Sequence, residues 1–474
     1  MPRCPGKTSL SLRPIAAALA ASLTLAPLEA LATKIVSTCN DSGAGSLRTA
    51  LAAAAEGELI DATGLGCSKI SLTSGALIVA NNAQMIDGPG ADKLTIDGLN
   101  NVAGYGIFFH NGNGTLEIDH VTLSHGNKYL NSATTFFGGG CIASFGNVKL
   151  TQTTVSDCTM TAGPKSHARG GAIYASGDAT LTQSTVTGSS AHGASPFGYE
   201  MNTFGGGIFA EGTIKLDRST VSGNQALNGG GIYSSFDTGI YSSTVSGNIA
   251  DVGGGINCRC ALQISDSTIS NNRARTNGAL ILGYSLTAAG NASFIRNSTI
   301  TGNTISGSFS AAAMEVEVPL TISNSTIAFN IAPSSSEGAL YSLAATLTLQ
   351  STIISDNYPA DVDAQMGTTV VNGAKNLSPN SIAAMPADTL TACPLLQPLA
   401  RNGGPTQTLA LRHTSPAIGA GNNLIPLFFD QRGSDFPRVF GLNADIGAFE
   451  WQGSNIDDSI FRGTFELALG LCHT

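Results

Sequence analysis

Charge is scarce in this chain: Asp, Glu, Lys and Arg together make 12% of 474 residues. Aromatic residues make 6%, with a single Trp. Each shortage excludes something. Few charges would fit a disordered chain only if apolar residues were also few, and they make 42%, so a core is buried. The charges present are mostly acidic, 32 against 23 basic. That balance is poor for a nucleic-acid partner, whose phosphates call for a cationic surface. After residue 32 no apolar run approaches the length needed to span a bilayer, so no transmembrane helix is expected.

Chemical motifs are absent as well. There is no His-Glu-x-x-His, no Gly-x-Ser-x-Gly, no paired Cys-x-x-Cys, and no polygalacturonase-like Asn-Thr-Asp, Gly-His-Gly or Arg-Ile-Lys. No cofactor and no metal site are therefore expected. Gly6-Lys7-Thr8 imitates a phosphate loop but lacks the upstream glycine.

Gly6-Lys7-Thr8 also lies within a leader. Arg3, Lys7 and Arg13 precede the apolar IAAALAASLTLA, and Ala30-Leu31-Ala32 follows shortly after it. This is the layout of a secretory signal over residues 1–32, with cleavage before Thr33 and a secreted or cell-surface destination. Its loss leaves 20 basic and 31 acidic residues, net −11. Eight cysteines remain, and an oxidising compartment favours pairing them. Cys39 with Cys67 closes one short segment and is the favoured pair. Cys141 with Cys158 is a further candidate. Cys258 and Cys260 share one face of a strand and are badly placed to bond each other.

What the chain has in abundance is repetition. STVSGN at Ser219 returns at Ser243, followed by STISNN at Ser267, STITGN at Ser298, STIAFN at Ser325 and STIISDN at Ser351. The closing residues, Asn224, Asn248, Asn272, Asn303, Asn330 and Asn357, are 24, 24, 31, 27 and 27 apart. An alternating segment precedes each string, such as IKLDRS at Ile214. A glycine-led one, such as GGGIFAE at Gly205 or GGGIYSS at Gly229, lies between strings. Period-two alternation with no i, i+3, i+4 pattern means strands. A period of about 24 residues means a stacked repeat.

The expected fold is all-β: a right-handed parallel β-helix of about eleven coils, each advancing about 4.8 Å. Val221, Val245, Ile269, Ile300 and Ile327 should form an inward aliphatic column. The asparagines should form a ladder at a bend, tolerating left-handed backbone while their amides bond the next coil. Ser46-Leu-Arg-Thr-Ala-Leu should be a short helix capping the N-terminal end. The chain then divides into a signal (1–32), a cap (33–58), the β-helix (59–392), a C-terminal block closing the solenoid (393–451) and a tail (452–474).

The block carries GGPTQTLAL at Gly403, SPAIGAG at Ser415, DQRG at Asp430, PR at Pro437 and DIGAFE at Asp445. In this order they resemble the bacterial choice-of-anchor Q domain proteins. The opening CNDSGAGSLRTAL and IDGPGADKLTIDG look like the start of the same secreted proteins. Gly170–Ile173 is similar to repeats of chlamydial polymorphic outer-membrane proteins. The resemblance implies a right-handed parallel β-helix, export and surface attachment, with no settled activity. The tail, DDSIFRGTFELALGLCHT, resembles short sorting endings of some Gram-negative secreted proteins, which makes it a sorting or anchoring candidate.

Three consecutive coils exceed the minimum length, and their extra residues fall at one corner: 125–137, 159–169 and 190–204. They gather Tyr129, Phe136, Phe137, Phe197, Tyr199 and Phe204 with Lys128, Lys165, His167, Arg169 and His192. Rings with cations and hydrogen-bonding groups suit an extracellular polysaccharide or cell-surface glycan. The reading is an adhesive or structural surface protein, monomeric, with a glycan-binding loop face. The alternative is a polysaccharide lyase or glycoside hydrolase with its groove beside those loops. No catalytic residue stands out. Asp119 and Asp217 share a column but lie three coils apart, about 14 Å. Asp430, Arg432, Arg438, Asp445 and Glu450 are expected to form a buried ion-pair network rather than a site.

Overall fold

The string beginning at Ser219 folds as a three-residue strand, Thr220–Ser222, between two bends. Arg218 ahead of it has φ +49° and Gly223 after it has φ +64°. Both lie in the left-handed region, so the chain turns sharply on either side. Each copy repeats this geometry and lies on the next in parallel register, Val221 on Val245 and Val245 on Ile269. The computed structural model describes residues 33–453 except 101–105, 132–137, 165, 194–202, 260, 284–291, 308–310, 334–336, 344–345 and 365–368.

The result is a parallel β-solenoid of about eleven coils. Its first sheet has 13 strands, from Thr33–Ile35 to Val370–Ala374. The second has 11, from Lys69–Ser71 to Ile353–Ser355, and contains the STVSGN strings. The third also has 11, from Leu77–Val79 to Val362–Ala364. The expected aliphatic column is there: Val221, Val245, Ile269, Ile300 and Ile327 are all fully buried. Burying each such side chain stabilises the fold by about 1.5–3 kcal/mol.

The asparagine ladder is present, with one difference. The left-handed residue is the one before each ladder asparagine: Gly223, Gly247, Asn271, Gly302, Phe329 and Asp356. The ladder residues themselves point inward and are fully buried from Asn224 to Asn330. Turning the chain one residue earlier is what aims the amide inside the bend, where it meets the next coil.

A second ladder guards the opposite bend. Ser219 N–H donates to Ser243 Oγ (2.9 Å), Ser243 N–H to Ser267 Oγ (3.0 Å) and Ser267 N–H to Ser298 Oγ (3.1 Å). The residue before each serine is left-handed whatever its chemistry: Gln183, Arg218, Ser242, Asp266, Asn297 and Asn324. Such backbone costs a non-glycine residue about 1–2 kcal/mol. Both ladders bracket one buried aliphatic residue, which is why the whole six-residue string recurs.

The N-terminal end is closed by the helix Leu47–Ala53, whose Leu47, Ala50 and Leu51 are buried. Ser46 caps it, accepting from Thr49 N–H at 3.2 Å. Arg48 ties the cap to the first coil, donating to Ala76 O (2.6 Å), Gly75 O (2.7 Å) and Asp41 Oδ1 (2.6 Å). The disulfides Cys39–Cys67 and Cys141–Cys158 both form. Cys258 and Cys393 are disulfide-bonded too.

The C-terminal block lies along the outside of the second sheet across four coils. Thr268 Oγ1 donates to Gln407 O (2.6 Å) and Thr299 Oγ1 to Gln431 Oε1 (2.6 Å). Ala448 N–H donates to Thr326 Oγ1 at 3.0 Å, and Ile353 packs among Ala410, Leu411, Ile446 and Phe449. Under the block the strands are buried on both faces, whereas Thr220 and Thr244 in the uncovered coils are only half-buried.

Candidate functional site

The long excursions stack on one side, as their position in three successive coils requires. Asn127–Leu130, Thr159–Ala162 and Ser190–Gly193 form a small parallel sheet of their own. Alternation then decides which side chains reach solvent. Lys128, Met160 and Ala191 are in register and buried. Tyr129, Thr161 and His192 are in register on the other face, with Tyr129 50% exposed.

Lys128 is therefore no surface cation. Its Nζ donates to Gly138 O at 3.1 Å and sits 5.3 Å from the centre of the Phe109 ring. Burial pulls its pKa down to about 8. Arg169 is engaged as well: Nη1 pairs with Glu211 Oε1 at 2.8 Å, and the guanidinium lies 5.2 Å from the Phe209 ring centre. Glu211 Oε1 also accepts from Tyr174 Oη at 3.0 Å.

Beneath the loops runs an aromatic stack on the outward face of the third sheet. The Tyr174 and Phe209 rings are 5.8 Å apart, and Phe209 and Tyr233 are 5.5 Å apart and nearly parallel. Phe204 meets Tyr233 edge-on at 4.9 Å, and His167 lies 6.2 Å from Phe204. Tyr174, Phe209 and Tyr233 are buried. This cluster fastens the loops to the solenoid, so Phe204, His167 and Arg169 serve the loops' seating. Phe136, Phe137, Lys165, Phe197 and Tyr199 lie outside the described residues.

The same column of the third sheet carries acidic chemistry farther along, which the sequence reading missed. Asn257, Ile281, Glu315, Tyr341 and Asp363 follow one another in register. Glu315 is buried and accepts from Asn277 Nδ2 at 2.8 Å. Burial first, then the charges of Glu317 and Glu337, push its pKa up despite that bond. Burial raises the Tyr341 phenol too, helped by Glu337, Asp363 and Glu315. The signal was available: Glu315 occupies the position after the glycine-led segment that Tyr174 and Phe209 hold in their coils. A carboxylate search around the Asp266 bend looks at a different face.

The block's charged residues are sealed in. Arg432 pairs with Asp430 at 2.6 Å and Arg438 with Glu450 at 2.7 Å, all four buried. Asp445 accepts from Gly419 N–H (2.7 Å) and Trp451 N–H (2.6 Å). These are structural ties, as expected. They hold the block together internally, and Arg438 Nη1 also donates to Asn297 Oδ1 of the solenoid at 3.3 Å.

Among the described residues no group of three or more His, Cys, Asp or Glu is placed to hold a metal ion, and no helix is long and apolar enough to cross a membrane. Compared with known proteins, the chain matches no protein family, no curated protein and no solved structure.

Proposed function

We propose that this is an exported, surface-associated β-helix protein of the choice-of-anchor Q kind, adhesive or structural in role, whose loop ridge binds an extracellular polysaccharide. The observation that carries this reading is the outward register of Tyr129, Thr161 and His192 on three successive coils, beside Asn127, Thr159 and Ser190. Coils advance by about 4.8 Å. A sugar chain laid along the solenoid axis meets a hydroxyl, amide, imidazole or ring at each step, on a surface the aromatic stack holds rigid. Preorganisation of this kind lowers the entropy cost of binding.

The test is incubation of the purified chain from Thr33 onward with a polysaccharide panel, with and without calcium, following binding and new reducing or unsaturated ends. Binding without products is expected. Tyr129→Ala and His192→Ala should each weaken it about fivefold, corresponding to about 1 kcal/mol. Unchanged binding in both variants overturns the ridge as the site.

One observation favours a second reading, a polysaccharide-cleaving enzyme. Glu315, held protonated to higher pH by burial, suits a general acid, with Glu337 or Asp363 as its partner carboxylate. This places the chemistry at the far end of the third sheet instead of beside the loops. New chain ends that vanish in Glu315→Gln would establish it.

A further inference from the structure

The outward face of the first sheet carries a cleft of about 480 Å³, a size that suits a small ligand. It crosses the strands Ile214–Asp217, Thr238–Tyr241 and Leu262–Ser265. The loop ridge rises elsewhere, between the second and third sheets. Alternation turns Lys215 and Asp217 outward on the first of these strands, Gly239 and Tyr241 on the second and Gln263 on the third. Lys215, Gly239 and Gln263 are in register across the three coils, and Tyr241 lies beside Asp217.

Gly239 shapes the floor. A Cβ there would fall 2.6 Å from Tyr241 Cε2 and 2.9 Å from Cζ, so the tyrosine ring leans across the space the glycine leaves. The phenol Oη donates to Gln263 Oε1 at 2.8 Å and holds the ring in that position. Gln263 Nε2 then has no partner among the described residues, and neither has Lys215 Nζ. The row explains the idle cation. Lys149, two coils earlier in the same outward row, pairs with Glu117 of the coil before it at 2.6 Å. Lys215 has Thr180 and Gly239 as its row neighbours, with no carboxylate on either. Asp217 does not stand in, because its Oδ2 is held by Arg218 Nη2 at 3.2 Å.

We propose that this cleft is a second glycan site, taking one acidic sugar unit. The apolar face of the sugar ring packs on Tyr241, its carboxylate pairs with Lys215, and a hydroxyl accepts from Gln263 Nε2. The division of labour follows from magnitudes. An ion pair as exposed as that of Lys215 contributes little by itself, so it selects the acid, while contact with the ring supplies most of the affinity. A tyrosine already fixed by Gly239 and Gln263 loses little freedom when a ligand arrives. The cleft shares no residue with the loop ridge, so it binds whether or not the ridge does.

Calorimetric titration of the purified chain with a hyaluronan tetrasaccharide tests the site, against the same tetrasaccharide with its carboxylates reduced to alcohols. The acidic probe should bind about fivefold more tightly than the neutral one. Lys215→Gln and high salt should each remove that difference. Tyr241→Ala should weaken both probes about tenfold. Gly239→Ala keeps every polar group and only pushes the ring aside, so it should weaken both as well. The substituted side chains face outward, which leaves the core of these variants intact. Binding should persist in Tyr129→Ala with His192→Ala, which separates the cleft from the ridge. Equal affinity for the two probes, no binding of either, or full affinity in both Tyr241→Ala and Gly239→Ala overturns the site. Loss of all binding in the ridge double variant overturns it too.

Discussion

Asn248 Oδ1 accepts twice from Asn224, at 3.0 Å from its backbone N–H and at 3.0 Å from its Nδ2. Asn248 Nδ2 in turn donates to Asn272 Oδ1 (2.9 Å) and back to Val221 O (3.1 Å). Each amide is thus fully used in a water-free bend. The ladder ends on Asp361, fully buried, where every neighbour is a donor: Asn357 Nδ2, Asn380 N–H and Ser378 Oγ.

This arrangement makes Asn248→Asp severe. Its second carboxylate oxygen would face Val221 O and Asn272 Oδ1, two acceptors, in a buried site. The expected loss is about 3 kcal/mol or more, against about 1–3 kcal/mol for Asn248→Ala. Guanidinium denaturation of both variants measures the difference. Equal losses would show that the ladder tolerates a carboxylate.

The cap should be acid-sensitive in one window. Burial alone would raise the Asp41 carboxyl, but Arg48, Ser74 and Thr73 overcome it and hold the pKa at about 2, against 3.8 unperturbed. A depressed folded pKa adds stability above the unfolded value and loses it as pH falls. About 2 kcal/mol should therefore disappear between pH 4 and pH 2. Urea midpoints across that range should fall in the native chain. In Asp41→Asn this contribution to the fall should be absent.

Two glycines should fail for different reasons. A Cβ on Gly230 would meet Gly254 O and Ile249 O at 2.4 Å, both backbone of the next coil. Gly230→Ala should cost about 3 kcal/mol or prevent stacking altogether. Gly223 has room, its nearest neighbour at 3.8 Å, but φ is +64°. Gly223→Ala should cost only about 1–2 kcal/mol. Thermal unfolding of the two variants separates close approach from backbone strain.

Arg432 holds the block by its shape. Its guanidinium chelates Asp430 (Nη2 at 2.6 Å, Nε at 3.0 Å) and lies between the rings of Phe436 and Phe449, 3.7 and 3.8 Å from their centres. A lysine ammonium can neither chelate nor stack in this way. Arg432→Lys should cost about 3 kcal/mol and release the block first. Limited proteolysis should then cut within 393–453 while the solenoid stays intact.

Much of the fold was legible because its contacts are between copies of one string. Val221 must meet Val245 once the repeat is stacked, so pattern alone locates the core column. Cys39–Cys67 was readable from the short segment it closes. Other features were hidden by local judgement. Ser219 looks like a turn residue, and only stacking shows that its hydroxyl accepts from the coil before. Lys128 reads as a loop cation until the loop becomes a strand and alternation turns it inward. Glu315 belongs to a column whose chemistry changes from Tyr to Glu along the solenoid, so no repeated letter marks it.

What the sequence by itself determined is everything that follows from period: strand length, parallel stacking, the Val and Ile column, the ladder and the cap. Identical positions become vertical neighbours, so short-range pattern is also tertiary contact. Only the tertiary structure decided where the block would lie, because Thr268 and Gln407 stand 139 residues apart and no period connects them. It decided the loop face too. The aromatic stack of Tyr174, Phe209 and Tyr233 needs the loops for cover, and burying those rings outweighs leaving their neighbours Arg169 and His167 in water.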